Sequence, residues 1–165
     1  MAKATQQVDL SLLSKAKNGL VYLTGNDWAL IADKAARRQF KAGDSIVQRG
    51  RRTHGIYVLL TGTAAVHIAG QGPARNIGAG EVCGEISFLD ELPATANVVA
   101  NEGVEALYLD KPLLQSLIEL FPHMGSRFHH SLAAILSRRL REMIGPQAEA
   151  SEPILPTASS KKNSK

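Results

Sequence analysis

Residues 78–100 read GAGEVCGEISFLDELPATANVVA, and the rest of the chain is read outward from this stretch. Three glycines, Gly78, Gly80 and Gly84, fall within seven residues, and a carboxylate, Glu85, directly follows the last of them. A short apolar run from Ile86 to Leu89 comes next, then a polar turn, Pro93, and small residues leading into Val98, Val99 and Ala100. Glycines let the backbone approach a ligand closely, and one helical turn after them leaves free N–H groups that suit an anion. A carboxylate beside such groups is an acceptor for a sugar hydroxyl. The local chemistry is that of a cradle for a small phosphorylated ribose compound.

Upstream and downstream of this stretch, residues 38–110 form short segments rich in Val, Ile, Tyr and Thr, punctuated by glycine. Ile56, Val58 and Leu60 alternate with Tyr57, Leu59 and Thr61; after Gly62 the alternation resumes with Ala64, Val66 and Ile68, and Gly70-Gln71-Gly72-Pro73 reads as a hairpin turn. About eight short strands spaced this way predict a small antiparallel barrel or roll. The flanks are helical. Residues 8–17 predict a short helix stopped by Asn18-Gly19, and a second follows Thr24 or Asn26 as cap, with Trp28, Leu30, Ile31 and Ala35 inward. After Asp110, which caps Lys111-Pro112-Leu113, Leu113, Leu114, Leu117, Ile118 and Phe121 make one face before Pro122 breaks the run. Phe128, Leu132, Ile135, Leu136, Leu140 and Ile144 then sit at helical spacing up to Gly145-Pro146. The expected fold is α+β, mainly β: an eight-stranded antiparallel, jelly-roll-like β-roll with N-terminal helices and two C-terminal helices. The expected organisation is a disordered segment at 1–8, one domain at 9–144, and a disordered Ser-, Pro-, Ala- and Lys-rich tail at 145–165.

Two separate signatures resemble one known family. Gly84-Glu85-Ile86-Ser87-Phe88-Leu89, followed by Pro93-Ala94-Thr95-Ala96-Asn97-Val98, resembles the phosphate-binding cassette of cyclic-nucleotide-binding domains. The glycine frame Phe40-x-x-Gly43-x-x-Ile46-x-x-x-Gly50, then Tyr57-x-x-x-x-Gly62-x-x-x-Val66, agrees with the same family, and the likeness covers residues 20–144 or so. The resemblance implies cAMP or cGMP as ligand, with no cofactor and no metal. The implied ligand contacts are Cys83, Gly84, Glu85, Ile86, Ser87, Ala94 and Thr95, with Glu85 on the ribose hydroxyl and the base facing the last helix. The sequence departs from the family at Cys83 (usually Phe), Asn97 (usually Ser or Thr) and Ala94, where the family has the arginine that pairs with the cyclic phosphate. A charge-assisted contact of that kind is worth about 1.5–3 kcal/mol, or one to two decades of affinity.

Composition narrows the classes. The 165 residues suffice for one domain with a core, and 44% hydrophobic with only 5% aromatic residues points to an aliphatic interior. The net charge is +4, but Lys161, Lys162 and Lys165 supply much of it, so no basic stripe marks a nucleic-acid binder. One cysteine allows no internal disulfide, residues 2–9 are polar rather than a signal peptide, and no apolar run approaches a membrane span. These features predict a cytoplasmic protein. The stretch Gly78-x-Gly80-x-x-x-Gly84 is one residue too long for a dinucleotide fingerprint and lacks its βαβ frame.

Several residues carry two readings. Glu85 is a ribose acceptor or a surface carboxylate; Ser87 and Thr95 contact ligand or only local backbone. Cys83 reads better as a small core residue than as a redox thiol. His123, His129 and His130 fit no zinc spacing. Arg75 and Arg49 are the nearest candidates to replace the missing cation, but arginines in such positions are more often solvated strand-edge charges. Arg138, Arg139 and Arg141 are explained by the helix dipole and by water. No nucleophile–base pair stands out, so the expected protein is a non-enzymatic cyclic-nucleotide sensor. It would have no helix-turn-helix of its own, and would act on an unidentified effector protein or through a homodimer contact on its last helix. The alternative is a roll that has lost its ligand and serves as an interaction or dimerisation module, which Ala94 favours.

Overall fold

The computed structural model describes residues 10–145, so the segments at 1–8 and beyond 145 lie outside the described residues. Two helices, α1 (Leu10–Leu13) and α2 (Gly25–Lys34), precede six strands: β1 (Ala36–Phe40), β2 (Ser45–Val47), β3 (Gly55–Thr61), β4 (Ala64–Ile68), β5 (Arg75–Ile77) and β6 (Val82–Cys83). A six-residue helix, α3 (Glu85–Asp90), leads to β7 (Ala96–Ala100) and β8 (Val104–Asp110), and α4 (Lys111–Leu120) and α5 (Pro122–Ile144) close the chain. The strands form two four-stranded sheets, ordered β1-β8-β3-β6 and β2-β7-β4-β5. Every pairing is antiparallel. This is the expected β-roll with helices at both ends.

Strand β3 shows why its sequence is almost continuously apolar. Its sheet is sandwiched, so both faces are covered. Ile56 and Val58 point into a cluster with Trp28, Ile31, Leu114, Phe128 and Ile135 from the helices, whereas Leu59 joins Ile46, Val47, Ala64, Ile77 and Val98 between the sheets. Each fully buried aliphatic side chain here contributes about 1.5–3 kcal/mol of transfer free energy. The β4–β5 hairpin turns where Gly70 to Pro73 predicted it, with Ala64 opposite Ile77.

The helix boundaries follow their caps. Thr24 Oγ1 accepts from Asp27 N at 3.2 Å, and the Asp27 carboxylate accepts from Thr24 N at 2.8 Å, a reciprocal capping box. Asp110 accepts from Leu113 N at 2.9 Å. Of the expected helix at 8–17, the described residues 10–17 are helical over Leu10–Leu13 alone, with Leu13 buried as its anchor. The apolar stripe of α5 also behaves differently from its pattern. Phe128, Leu132 and Ile135 are buried, but Leu140 and Ile144 are 55% exposed, because the end of α5 runs past the helical core and over the mouth of the roll.

Candidate functional site

The glycine-rich stretch folds as a strand end, a bend and one short helix. Gly84 takes φ +84°, a left-handed conformation open to glycine at no steric cost, and its carbonyl accepts from Thr53 Oγ1 at 3.0 Å and from Phe88 N at 3.2 Å. That bend turns the chain so that Glu85, the first residue of α3, points inward. Its side chain is only 2% exposed, which rules out the surface-carboxylate reading.

What Glu85 meets there is an arginine. Arg139, from the end of α5, bonds Glu85 Oε1 through Nη1 and the Val82 carbonyl through Nη2 at 2.8 Å. The pair is nearly dry, with the Arg139 side chain 16% exposed, and Arg139 Nε is buried without a hydrogen-bond partner. Arg139 is therefore neither solvated nor a dipole counter-charge. Its sequence signal was present: it follows Phe128, Leu132 and Ile135 on the same helical stripe, where the next buried residue belongs.

The remaining cassette residues are held by the loop at 48–54. Ser87 is buried; its hydroxyl donates to the Leu92 carbonyl at 2.5 Å and accepts from Thr53 N at 3.0 Å, so it fastens the bend to that loop. Ala94 is buried, and its N–H donates to the Arg51 carbonyl at 2.8 Å while its own carbonyl accepts from Gly50 N at 2.9 Å. Position 94 thus offers the cavity neither a cation nor a free amide. Asn97 accepts from Arg49 N at 2.9 Å, and Arg49 itself is exposed. Cys83 is buried between the sheets, and burial first, then the Glu85 carboxylate, pushes its thiol up and disfavours the thiolate.

These residues line a cavity in two parts. The inner part, about 60 Å³, is bounded by Val47, Cys83, Gly84, Glu85, Ser87 and Ala94. The outer part, about 300 Å³, has apolar walls from Ile68, Ile86, Leu136, Leu140 and Met143. Val66, Arg75, Ile86, Thr95, Ala96 and Arg139 border both. All seven residues predicted from the sequence line the cavity; Leu136, Arg139, Leu140 and Met143 of α5 are additions, and Arg75 proves to be a cavity residue. Burial, and next the nearby Arg139 guanidinium, holds the Arg75 pKa below the usual arginine value. Among the described residues no group of histidine, cysteine, aspartate or glutamate is arranged to hold a metal, and no helix is long and apolar enough to cross a membrane.

A roll of two four-stranded sheets, with a glycine bend, a short helix and a buried glutamate facing a cavity under the last helix, defines a class of β-roll domain with a built internal pocket. The cyclic nucleotide-binding domain family matches residues 37–120, just over half of the chain, and the protein belongs to that family. The match ends at α4, so Arg139 and the α5 wall of the cavity lie beyond it. The chain is 36% identical over 110 residues to the cyclic AMP receptor protein of Thermus thermophilus, covering 64% of this chain and 49% of that protein. It is 30% identical over 97 residues to the cAMP-dependent protein kinase regulatory subunit of Neurospora crassa, covering 58% of this chain and 25% of the subunit. The chain thus spans about half of the first relative and a quarter of the second. The crystal structure of the Thermus thermophilus catabolite activator protein superposes with a TM-score of 0.63 at 32% identity, over 74% of this chain and 57% of that one. A cyclic nucleotide-binding domain from Methylobacillus flagellatus shares the fold, with a TM-score of 0.69 at 20% identity over 87% of this chain and 82% of that one.

Proposed function

We propose that this domain binds cAMP or cGMP in the cavity between the roll and α5, and passes its occupancy to an effector protein or a second subunit through α5. We read it as a cytoplasmic regulatory module without catalysis of its own. The observation that carries the proposal is Glu85: a carboxylate buried at the cavity floor, in the first turn of α3, and tied to a residue of the last helix. A ribose hydroxyl donating to Glu85 competes with Arg139 for the same oxygens. Ligand binding and the position of α5 are then one equilibrium, a population shift between an α5 tied to the cassette and an α5 packed on the ligand. The exposed Leu140, Met143 and Ile144 at the end of α5 are the surface whose position changes.

A second reading, an interaction module without nucleotide, is favoured by Ala94 and by the occupied Glu85. Calorimetric titration with cAMP and cGMP separates the two. Binding in the micromolar range, weakened at least about tenfold by Glu85→Ala, is the expected result, since a hydrogen bond to a charged group is worth about 1.5–3 kcal/mol. No heat at millimolar ligand leaves the interaction module.

A further inference from the structure

The nucleotide-binding reading leaves one need unmet, a partner for the phosphate. The inner cavity of about 60 Å³ is far below the 300–1,000 Å³ or so of pockets that enclose whole small molecules. Most of a nucleotide must therefore sit in the outer part, away from Ala94. The cations there are Arg75 and Arg139.

Arg75 is a half-buried charge left over by its surroundings. Its guanidinium makes no hydrogen bond or ion pair with any described residue. The three carboxylates near enough to favour its charge are each committed elsewhere. Glu85 is bound to Arg139, and Glu142 is bound to Lys17 Nζ at 2.9 Å. Glu81 accepts from Asn18 Nδ2 at 2.9 Å and Gly78 N at 2.8 Å. A partly desolvated cation without a partner, facing a second cation across a cavity border, is unfavourable unless an anion enters between them.

We propose that Arg75 on β5, together with Arg139 on α5, forms a two-arginine clamp that takes the phosphate of the ligand, replacing the cation absent at position 94. The ligand class is a phosphate ester carrying a flat apolar ring, with the ring seated on Ile86, Leu136 and Leu140. Planar guanidinium groups suit phosphate oxygens, and two of them from different elements make anion binding depend on where α5 stands.

The test uses the full chain as wild type and two variants of position 75, Arg75→Lys and Arg75→Gln. It has three readouts: thermal unfolding without ligand, titration with cAMP and cGMP, and thermal unfolding with inorganic pyrophosphate as a bare anion. Without ligand, Arg75→Gln melts at or above the wild-type temperature, since no partner is lost; a clear drop would mean that Arg75 serves the fold, and would overturn the clamp. With nucleotide, Arg75→Gln binds at least tenfold more weakly and Arg75→Lys lies between. Undiminished binding by Arg75→Gln sinks the clamp and leaves the nucleotide reading intact. If the wild type binds neither nucleotide, yet pyrophosphate raises its melting temperature and not that of Arg75→Gln, the nucleotide reading falls and the anion clamp stands. If neither anion acts, both fall.

Discussion

Ser87 shows how a cassette side chain is spent on holding the cassette together. Its hydroxyl bridges the Leu92 carbonyl and Thr53 N, so it ties the end of α3 to the loop that also carries Arg51 and the bonds to Ala94. Ser87→Ala leaves the Thr53 amide and the Leu92 carbonyl without that buried partner, and lost hydrogen bonds of this kind cost about 1–3 kcal/mol. Urea unfolding of Ser87→Ala is expected to show a loss in that range with an unchanged slope. Stability equal to the wild type would mean that the hydroxyl is free for a ligand instead.

Among the elements, α5 is the one whose two halves do different work. Its first half is bolted to the core: Arg127 grips Asp27 through Nε at 2.8 Å and Nη2 at 2.7 Å, and Ser131 Oγ accepts from Tyr22 N at 3.1 Å. Its second half carries Arg139 over the cavity. The Arg127 bond holds the Asp27 carboxyl below the usual carboxylate range, in spite of its burial. A lowered folded-state pKa gives stability that is present above the unfolded value, about 3.9, and is lost as the pH falls through the folded value. Asp27→Asn is therefore expected to lower stability at neutral pH by about 2 kcal/mol and to flatten the acid-side fall below about pH 4. Chemical denaturation at pH 7 and across pH 2–5 reads both. An unchanged acid limb would assign the acid sensitivity to other carboxylates.

At the scale of the whole molecule, the two apolar clusters share the sheet containing β3, so neither opens alone without exposing the other. Cys83 reports on this coupling. It pairs across from Tyr57, lines the inner cavity, and has its thiol pushed up by burial. Labelling with a thiol reagent in native buffer is expected to run more than about a hundredfold slower than in urea, at a rate set by opening of the roll. Fast native labelling would mean that the inner cavity opens locally and often.

The sequence by itself determined the roll and the stretch that lines its cavity. Strand alternation, glycine punctuation and caps such as Thr24 and Asp110 act over a few residues, so they are legible in one dimension. The bend at Gly84 belongs to this class, and so does the arrival of Glu85 beside the cavity. The partners of Glu85 do not. Arg139 lies 54 residues away, and on a helix wheel it is indistinguishable from Arg138, which bonds Asn18, and from the exposed Arg141, unless the buried stripe from Phe128 to Ile135 is extended by one more turn. Arg75 is an ordinary strand residue until the hairpin, the cassette and α5 meet. Only tertiary packing decides which charges lose water together, because desolvation and pairing depend on distances between elements that the order of residues does not encode.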